Sequence, residues 1–195
     1  MITVVITTYP DRSEFLQRAI ASVMAQTLQP HAIIIANDHD KIGAAANRDR
    51  GLALVKTEWV AFLDDDDEFE PIHLQRLKAH ADATEACLVY PWFNVVGGSD
   101  PFPHLYGLKY TPDTQTTITF LARTVCLRRA GGFSRDWDET VGNDPGVDPL
   151  GNRAGEEYRL VRRMWNDACF IEHLPQRTWK WHHHGKNTMG LPGRR

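Results

Sequence analysis

Four consecutive aspartates, Asp64 to Asp67, directly follow the short apolar run Trp59 to Leu63. Such a run, bounded by polar residues, is typical of a buried strand, and open α/β sheets bind ligands beyond the carboxyl ends of their strands. Neighbouring carboxylates raise one another's pKa unless a cation holds them, and hard divalent cations take oxygen ligands. The sequence therefore predicts a metal site here. It is not a calcium loop, because no glycine follows where such a loop must turn.

Length and charge limit what this site could serve. With 195 residues, 42% of them hydrophobic, the chain can form one well-buried domain. The formal net charge of -3 and a pI near 6.3 give no basic field for binding a phosphate backbone. We therefore expect no nucleic-acid partner.

The cysteines and apolar segments bear on the compartment. Cys87, Cys126 and Cys169 are isolated and odd in number, without the spacing of a zinc site or a disulfide framework. We expect small core residues in a reduced compartment. Residues 1–10 have the pattern of a strand rather than a targeting segment, and no apolar run reaches membrane-spanning length. The expected location is cytoplasmic, with no membrane span.

Strand-like and helical patterns alternate in the first half of the chain. Apolar, β-branched runs predict strands at 2–7, 32–36 and 59–63. Asp11 and Glu14 stand at capping-box spacing before the first helix, and an alanine-rich segment from Gly43 to Val55 predicts the second. This alternation indicates a parallel sheet with right-handed crossovers.

The second half is less regular. Patterns predict a helix from Pro71, a strand over 87–95, a further helix from Gly155, and β-prone segments at 116–126, 168–174 and 178–184. Residues 97–113 are rich in proline, glycine and aromatic residues, and residues 134–154 are rich in aspartate, glycine and proline. They are predicted to be mobile loops, where a substrate lid would be found.

Several short segments together resemble glycosyltransferase family 2. They are Ile6-Thr7-Thr8-Tyr9, Ala21 to Thr27, Asp38, Arg48-Asp49-Arg50-Gly51, Phe62 to Asp67 with its Asp-x-Asp motif, Gly131-Gly132-Phe133, Gly155 to Leu160, and His184-Gly185-Lys186-Asn187-Thr188. A lone Asp-x-Asp is common, but so many pieces in the right order and spacing are hard to produce by chance.

The resemblance implies a GT-A fold, an α/β three-layer domain with a mainly parallel central sheet over residues 1–195. Residues 1–95 would bind the nucleotide-sugar and metal, and residues 96–195 would form the acceptor side. The family uses a nucleotide-sugar donor and a divalent cation, Mn²⁺ or Mg²⁺, usually with inversion at the anomeric carbon. A UDP-sugar is favoured, with a GDP- or dTDP-sugar possible. The acceptor is a glycan, a protein side chain or a small molecule.

The family pattern also assigns roles within the aspartate run and near the C-terminus. It implies that Asp66 holds the metal and that Asp64, with Asp65, faces the nucleotide-sugar. The alternative for Asp65 and Asp67 is to cap the following helix. His184 would complete the metal shell or touch the diphosphate. His182, on the same face of a strand, is the second candidate.

Glu157 matches the family's catalytic base, which removes the proton from the acceptor hydroxyl. Glu156 beside it is the alternative base, because the family more often has aspartate at this position. In the competing interpretation both carboxylates only complement the dipole of the helix that they begin.

Four residues match positions that contact the nucleotide in this family: Thr7, Tyr9, Asp38 and Arg48. Asp38 could accept a hydrogen bond from a base, and Tyr9 could stack on the ring. The alternatives are that Tyr9 packs on the first turn and that Arg48 pairs with Asp38 or Asp40.

Two other classes of protein compete with this interpretation. A metal-dependent phosphoryl-transfer or nucleotidyl enzyme would need a basic groove, which the acidic composition does not supply. A non-catalytic relic could bind nucleotide-sugars without chemistry, but the retained Glu157 argues against it. The short length and the ending of the chain are similar to small phage-encoded members, which act in the host cytoplasm.

Overall fold

A seven-stranded sheet lies at the centre of this computed structural model, which describes residues 1–100, 102–111, 116–135 and 155–183. The elements are β1 (Ile2–Thr8), α1 (Ser13–Met24), β2 (Ala32–Asn37), α2 (Ala44–Leu54), β3 (Trp59–Asp64), β4 (Glu68–Phe69), α3 (His73–Thr84), β5 (Leu88–Val96), β6 (Leu121–Arg123), α4 (Thr124–Arg129), α5 (Glu156–Asn166) and β7 (Ile171–His182), with a 3-10 turn at Pro103–Leu105. Among the described residues, no helix combines the length and apolar character needed to cross a bilayer.

The strand order is β2-β1-β3-β6-β5-β7-β4. Parallel pairs join β1 to β2, β1 to β3, and β5 to β7, whereas the short β6 and β4 run antiparallel to their neighbours. The predicted mainly parallel sheet is therefore confirmed. Because their neighbours are parallel, β1, β2 and β3 all end at the same edge.

Helices cover both faces of the sheet. Val4 and Ile6 of β1 pack on the side of α1 and α3, while Val5 packs on the side of α2, α4 and α5. The split follows from the alternation of side chains along a strand. Burial on both faces explains why the strands are apolar without a polar alternation. The three-layer arrangement is the one predicted.

The C-terminal strand and β6 depart from the sequence prediction. A single strand, β7, replaces the two predicted segments, and its pairing with β5 shifts register between Tyr90 and Trp92. Pro91 and Pro175 lie at this irregularity, where a missing backbone N–H removes no regular ladder bond. In the predicted β-prone segment 116–126, only Leu121–Arg123 is a strand, because the chain turns into α4 at Thr124.

The predicted Asp11 cap of α1 is wrong. The N-cap position is Arg12, and no side-chain cap bond forms there. Asp11 instead takes a positive φ of 67° in the turn after β1. Aspartate tolerates this left-handed region better than most residues. The turn leaves Arg12 directed at the aspartate run, as described below.

Gly51 lies where α2 packs closely against the sheet. A Cβ at this position would overlap Cγ1 of Val5 on β1. Gly51→Ala is therefore expected to lower the free energy of unfolding by about 1–3 kcal/mol, measured by urea denaturation, although alanine is the better helix former. Adding Val5→Ala should remove the overlap. If the double variant loses as much free energy of unfolding as its two single changes together, this explanation is contradicted.

Candidate functional site

Two threonines at the end of β1 fix the first two aspartates. Thr7 pairs in register with Asp64, and its Oγ1 donates to Asp64 Oδ1 at 2.8 Å. Thr8 Oγ1 donates to Asp65 Oδ2 at 2.6 Å. The Asp65 backbone N–H also donates to the Thr7 carbonyl at 3.1 Å. These hydrogen bonds thus fix the positions of the two carboxylates at the edge of the sheet.

Arg48 on α2 joins the sheet edge to the start of α5. Its Nη2 donates to Asp64 Oδ1 at 2.8 Å and to Oδ2 at 3.1 Å, and its Nη1 pairs with the Glu156 carboxylate. Its side chain is only 7% exposed. Burial alone would lower the pKa of Arg48, but Asp64, Glu156 and Glu157 raise it well above its usual range. Arg48 is therefore a permanent buried cation between two groups of acids.

Two further arginines hold the later aspartates. Arg12 Nη2 lies 2.7 Å from Asp66 Oδ2 and 2.9 Å from Asp65 Oδ1. Arg18 Nη2 donates to the Asp66 carbonyl at 2.9 Å. None of these three arginine contacts was predicted from the sequence. The available signal was the acid run itself, since clustered carboxylates need cations and Arg12 follows β1 within a few residues.

Pairing of β4 with β7 brings the C-terminal histidine segment to the acids. Asp67 is buried, and its Oδ1 accepts the His182 backbone N–H at 3.0 Å. The His182 ring nitrogen Nε2 lies 2.6 Å from Glu68 Oε1. Burial raises the pKa of Asp67 and lowers that of His182. His184, the first candidate for the metal shell, lies outside the described residues.

The helix-cap alternative for Asp65 and Asp67 is wrong. The chain continues into β4 rather than into a helix, and α3 begins only at His73. Its N-cap position is Ile72, without a side-chain cap bond. Burial raises the pKa of Asp65 to about 6.

Glu156 and Glu157 form the first turn of α5 but differ in surroundings. Glu156 is engaged by Arg48, whereas Glu157 folds back against Gly155. Burial, followed by the charge of Glu156, raises the pKa of Glu157 to about 7. A carboxyl group with such a pKa can gain and lose a proton near neutral pH. The two neighbouring carboxylates thus differ: Glu156 is paired with Arg48, whereas Glu157 has a raised pKa.

Acidic side chains stabilise the connection between β2 and α2. Asp38 is fully buried and accepts the backbone N–H groups of Ile42 at 2.8 Å and Gly43 at 2.9 Å. Asp40 pairs with Arg50 at 2.9 Å, so the alternative pairing of Arg48 with Asp38 or Asp40 is wrong. Tyr9 is 39% exposed directly after β1. Contacts of Asp38 and Tyr9 with a nucleotide stay predictions.

Asp49 stabilises the loop that follows α4. Its carboxylate accepts the backbone N–H groups of Phe133 and Ser134, each at 2.8 Å. Gly132, at a φ of +73°, leaves room for this carboxylate where a Cβ would overlap it. This positioning role was missed in the sequence, where Asp49 was only part of a motif.

The aspartates suit a hard divalent cation by their chemistry. Within the described ranges, no three carboxylate or imidazole groups converge on one point. Mg²⁺ usually takes only one or two protein carboxylates and completes its shell with substrate phosphates and water. Asp64 and Asp66 lie at one edge of the sheet and are partly exposed. They therefore fit an ion that arrives bound to a diphosphate.

Comparison with known proteins gives a consistent result. Residues 29–142 match the model of glycosyl transferase family 2. The chain is 30% identical to the succinoglycan biosynthesis protein ExoW of Rhizobium meliloti (strain 1021), covering 59% of this chain and 44% of that protein. It is 26% identical to an uncharacterized glycosyltransferase of Nostoc sp., covering 87% of this chain and 58% of that protein. The chain thus spans about half the length of these curated relatives.

Solved structures share the fold. S. aureus TarS 1-349 in complex with UDP superposes with a TM-score of 0.70 at 14% identity, covering 93% of this chain and 60% of that one. The complex with UDP-GlcNAc gives 0.68 at 13% identity, covering 95% and 59%. The GT-A architecture expected from the sequence is confirmed.

Proposed function

Because this chain belongs to glycosyltransferase family 2, we propose that it transfers a sugar from a nucleotide-diphosphate sugar to an acceptor hydroxyl. One observation carries the proposal: Arg48 contacts both Asp64, at the donor edge of the sheet, and Glu156, beside the candidate base. The two groups of acids therefore belong to one site. A donor and an acceptor bound there would meet between the sheet edge and α5.

Glu157 is the proposed general base. A carboxylate with a pKa raised to about 7 can take the proton of the acceptor hydroxyl as that oxygen attacks the anomeric carbon. Direct attack opposite the leaving group would invert the anomeric centre. Glu156 is assigned to positioning, since its carboxylate is already paired with Arg48.

Asp64 and Asp66 are the proposed partners of the donor diphosphate and its cation. Mn²⁺ or Mg²⁺, when bound there, would neutralise charge that develops on the leaving diphosphate. Arg12, now paired with Asp65 and Asp66, is close enough to this edge to assist with the same charge. His182 and His184 remain proposed contributors to the cation's shell.

A UDP-sugar is the proposed donor, since neighbours of the same fold were solved with UDP and UDP-GlcNAc. A glycan is the favoured acceptor, because one relative is named for succinoglycan biosynthesis. Protein side chains and small molecules remain to be tested. The proposed location is the cytoplasm, supported by the three cysteines being free thiols.

Thermal unfolding against UDP, GDP, dTDP and their sugars, with and without Mn²⁺, tests the proposal. A ligand at 100 times its Kd should stabilise the native protein by about 2.7 kcal/mol. We expect one nucleotide to do so in a metal-dependent manner, and the effect to vanish in Asp66→Asn but persist in the control Asp82→Asn on the exposed face of α3. If no nucleotide shifts the transition, the proposed function is wrong.

Gly155→Ala tests the placement of the base. A Cβ at this position would lie 2.5 Å from Glu157 Oε2, so the flexible carboxylate must move. We expect turnover to fall about 10- to 100-fold, because small misplacements of a reacting group are costly. Stability should change by less than about 1 kcal/mol, as only an N-cap residue is exchanged. Gly155→Ser restores a good cap but keeps the Cβ, so recovery of turnover in that variant would refute the explanation.

A further inference from the structure

Three cysteines that are far apart in the sequence meet in the fold. The sulfur atoms of Cys87, Cys126 and Cys169 all lie within 4.8 Å of one another. They stand just before β5, within α4 and just before β7, at the edge of the sheet opposite the aspartates. The expected core placement is confirmed for Cys126 and Cys169, with Cys87 packed against the same core, but the three cysteines are not isolated from one another in space. Sequence spacing could not show this convergence, because it arises only when three distant elements pack.

Backbone hydrogen bonds hold the three segments together. The Cys87 N–H donates to the Phe170 carbonyl at 2.7 Å, and the Arg123 N–H donates to the Cys87 carbonyl at 2.8 Å. The Cys169 N–H donates to the Met164 carbonyl at 3.0 Å, which closes α5 through Ala168 at a φ of 59°. This is the Schellman arrangement, in a residue that is not glycine. The sulfurs are thus brought together by ordered backbone.

The distances between the three sulfur atoms suit a single metal ion. Zinc–sulfur bonds are about 2.3 Å long, so three sulfurs on one ion lie about 3.8–4.0 Å apart. The sulfurs need to close by no more than about 1 Å, which small side-chain rotations supply. Cys126 and Cys169 are buried and Cys87 is half-buried, so an ion can enter from the side of Cys87.

A cation beside the cluster matches the charge of such a complex. Arg129 Nη2 lies 3.4 Å from Cys169 Sγ and donates to the Asp167 carbonyl at 3.0 Å. Three thiolates on a divalent ion carry one net negative charge, which a guanidinium stabilises. Burial raises the pKa of Cys126 to about 12, so binding must release the thiol protons to solvent.

We propose that Cys87, Cys126 and Cys169 form a site for one thiophilic d¹⁰ metal ion of the zinc class, with Arg129 balancing its charge. Thiolates select such ions over the hard cations that suit the aspartates. The proposal does not depend on the glycosyl-transfer reaction. It assigns the ion a structural part, tying β5, α4 and β7 together.

Anaerobic titration of the fully reduced protein with Cd²⁺ tests the site, because thiolate–cadmium bonds absorb in the ultraviolet and carboxylate bonds do not. The absorption should saturate at one ion per chain, with release of about three protons, and a large excess of Zn²⁺ should reduce it. Arg129→Gln should weaken binding about 10- to 100-fold, as expected for a group that supports a ligand.

Two variants separate this site from the aspartates. Cys87→Ser, at the least buried position, should lose most of the absorption, whereas Asp66→Asn should keep all of it. Folding of each variant is checked by its circular dichroism. Absence of the absorption in the parent would overturn the proposal. Full absorption in Cys87→Ser would also overturn it.

Discussion

Glu157→Gln is expected to lower the turnover number about 10²- to 10⁴-fold while donor binding is retained. Glutamine keeps the shape of the side chain but cannot accept the proton of the acceptor, and general-base catalysis contributes about this factor. The measurement is release of the nucleoside diphosphate in the presence of acceptor, beside calorimetric titration with the donor. Glu85→Gln, at the exposed end of α3, is the matched control and should be fully active.

The pH dependence has a definite sign. The base acts as carboxylate, so turnover should fall as the pH drops through about 7, the raised pKa of Glu157. Stability responds in the opposite sense. The native state holds this proton more tightly than the unfolded chain does, so the contribution of Glu157 to stability declines as the pH rises from about 4.5 towards about 7. A turnover profile flat between pH 5 and pH 8 would contradict the assignment.

Arg48→Met is expected to lower the free energy of unfolding by about 3–5 kcal/mol. Removing one member of a buried ion pair leaves the other charge unpaired, and here two carboxylates, of Asp64 and Glu156, lose the same partner. Chemical denaturation at pH 7 measures the loss. Arg50→Met is the matched control on the same helix. Its ion pair with Asp40 is exposed, so the change should cost no more than about 1 kcal/mol.

The origin of the Arg48 effect can be checked by removing the stranded charges. Adding Asp64→Asn and Glu156→Gln to Arg48→Met should recover a large part of the stability. Lowering the pH should also narrow the difference from the parent, because protonation neutralises the same carboxylates. If Arg48→Met costs no more than Arg50→Met, Arg48 does not have the energetic role inferred from its burial.

The features that could be predicted from sequence are those set by local pattern. β1, β2 and β3 were predicted within a residue or two, since apolar runs of that length have few other uses in an α/β chain. Their shared edge followed from parallel topology, and the structure shows that it also places Thr7 beside Asp64. The resemblance to the family rested on the order of short segments along the chain.

Charge partners could not be predicted, because they depend on tertiary packing. The acid run was expected to need a metal, yet Arg12, Arg18 and Arg48 already contact it. Clustered carboxylates do need cations nearby, but the sequence alone could not show that arginine side chains supply them. The case for a metal at Asp66 therefore depends on the diphosphate of the proposed donor, and not on a need to balance the charge of the aspartates.

The cysteines and the prolines of β5 and β7 show the same limit. The cysteines were expected to be core residues, and the β-prone segments 168–174 and 178–184 were predicted as separate. Packing joins the two segments into one strand across the irregularity that contains Pro91 and Pro175, and it brings the three thiols close together.

The length of β7 sets the distance between the three thiols and the aspartates. Its first residue, Ile171, is two positions from Cys169, and its last, His182, contacts Asp67. At about 3.3 Å per residue the strand spans roughly 30–40 Å, several times the Debye length of about 8–10 Å in physiological salt. At this distance a change of charge at the thiols acts only weakly on the aspartates, because the Coulomb energy falls with separation.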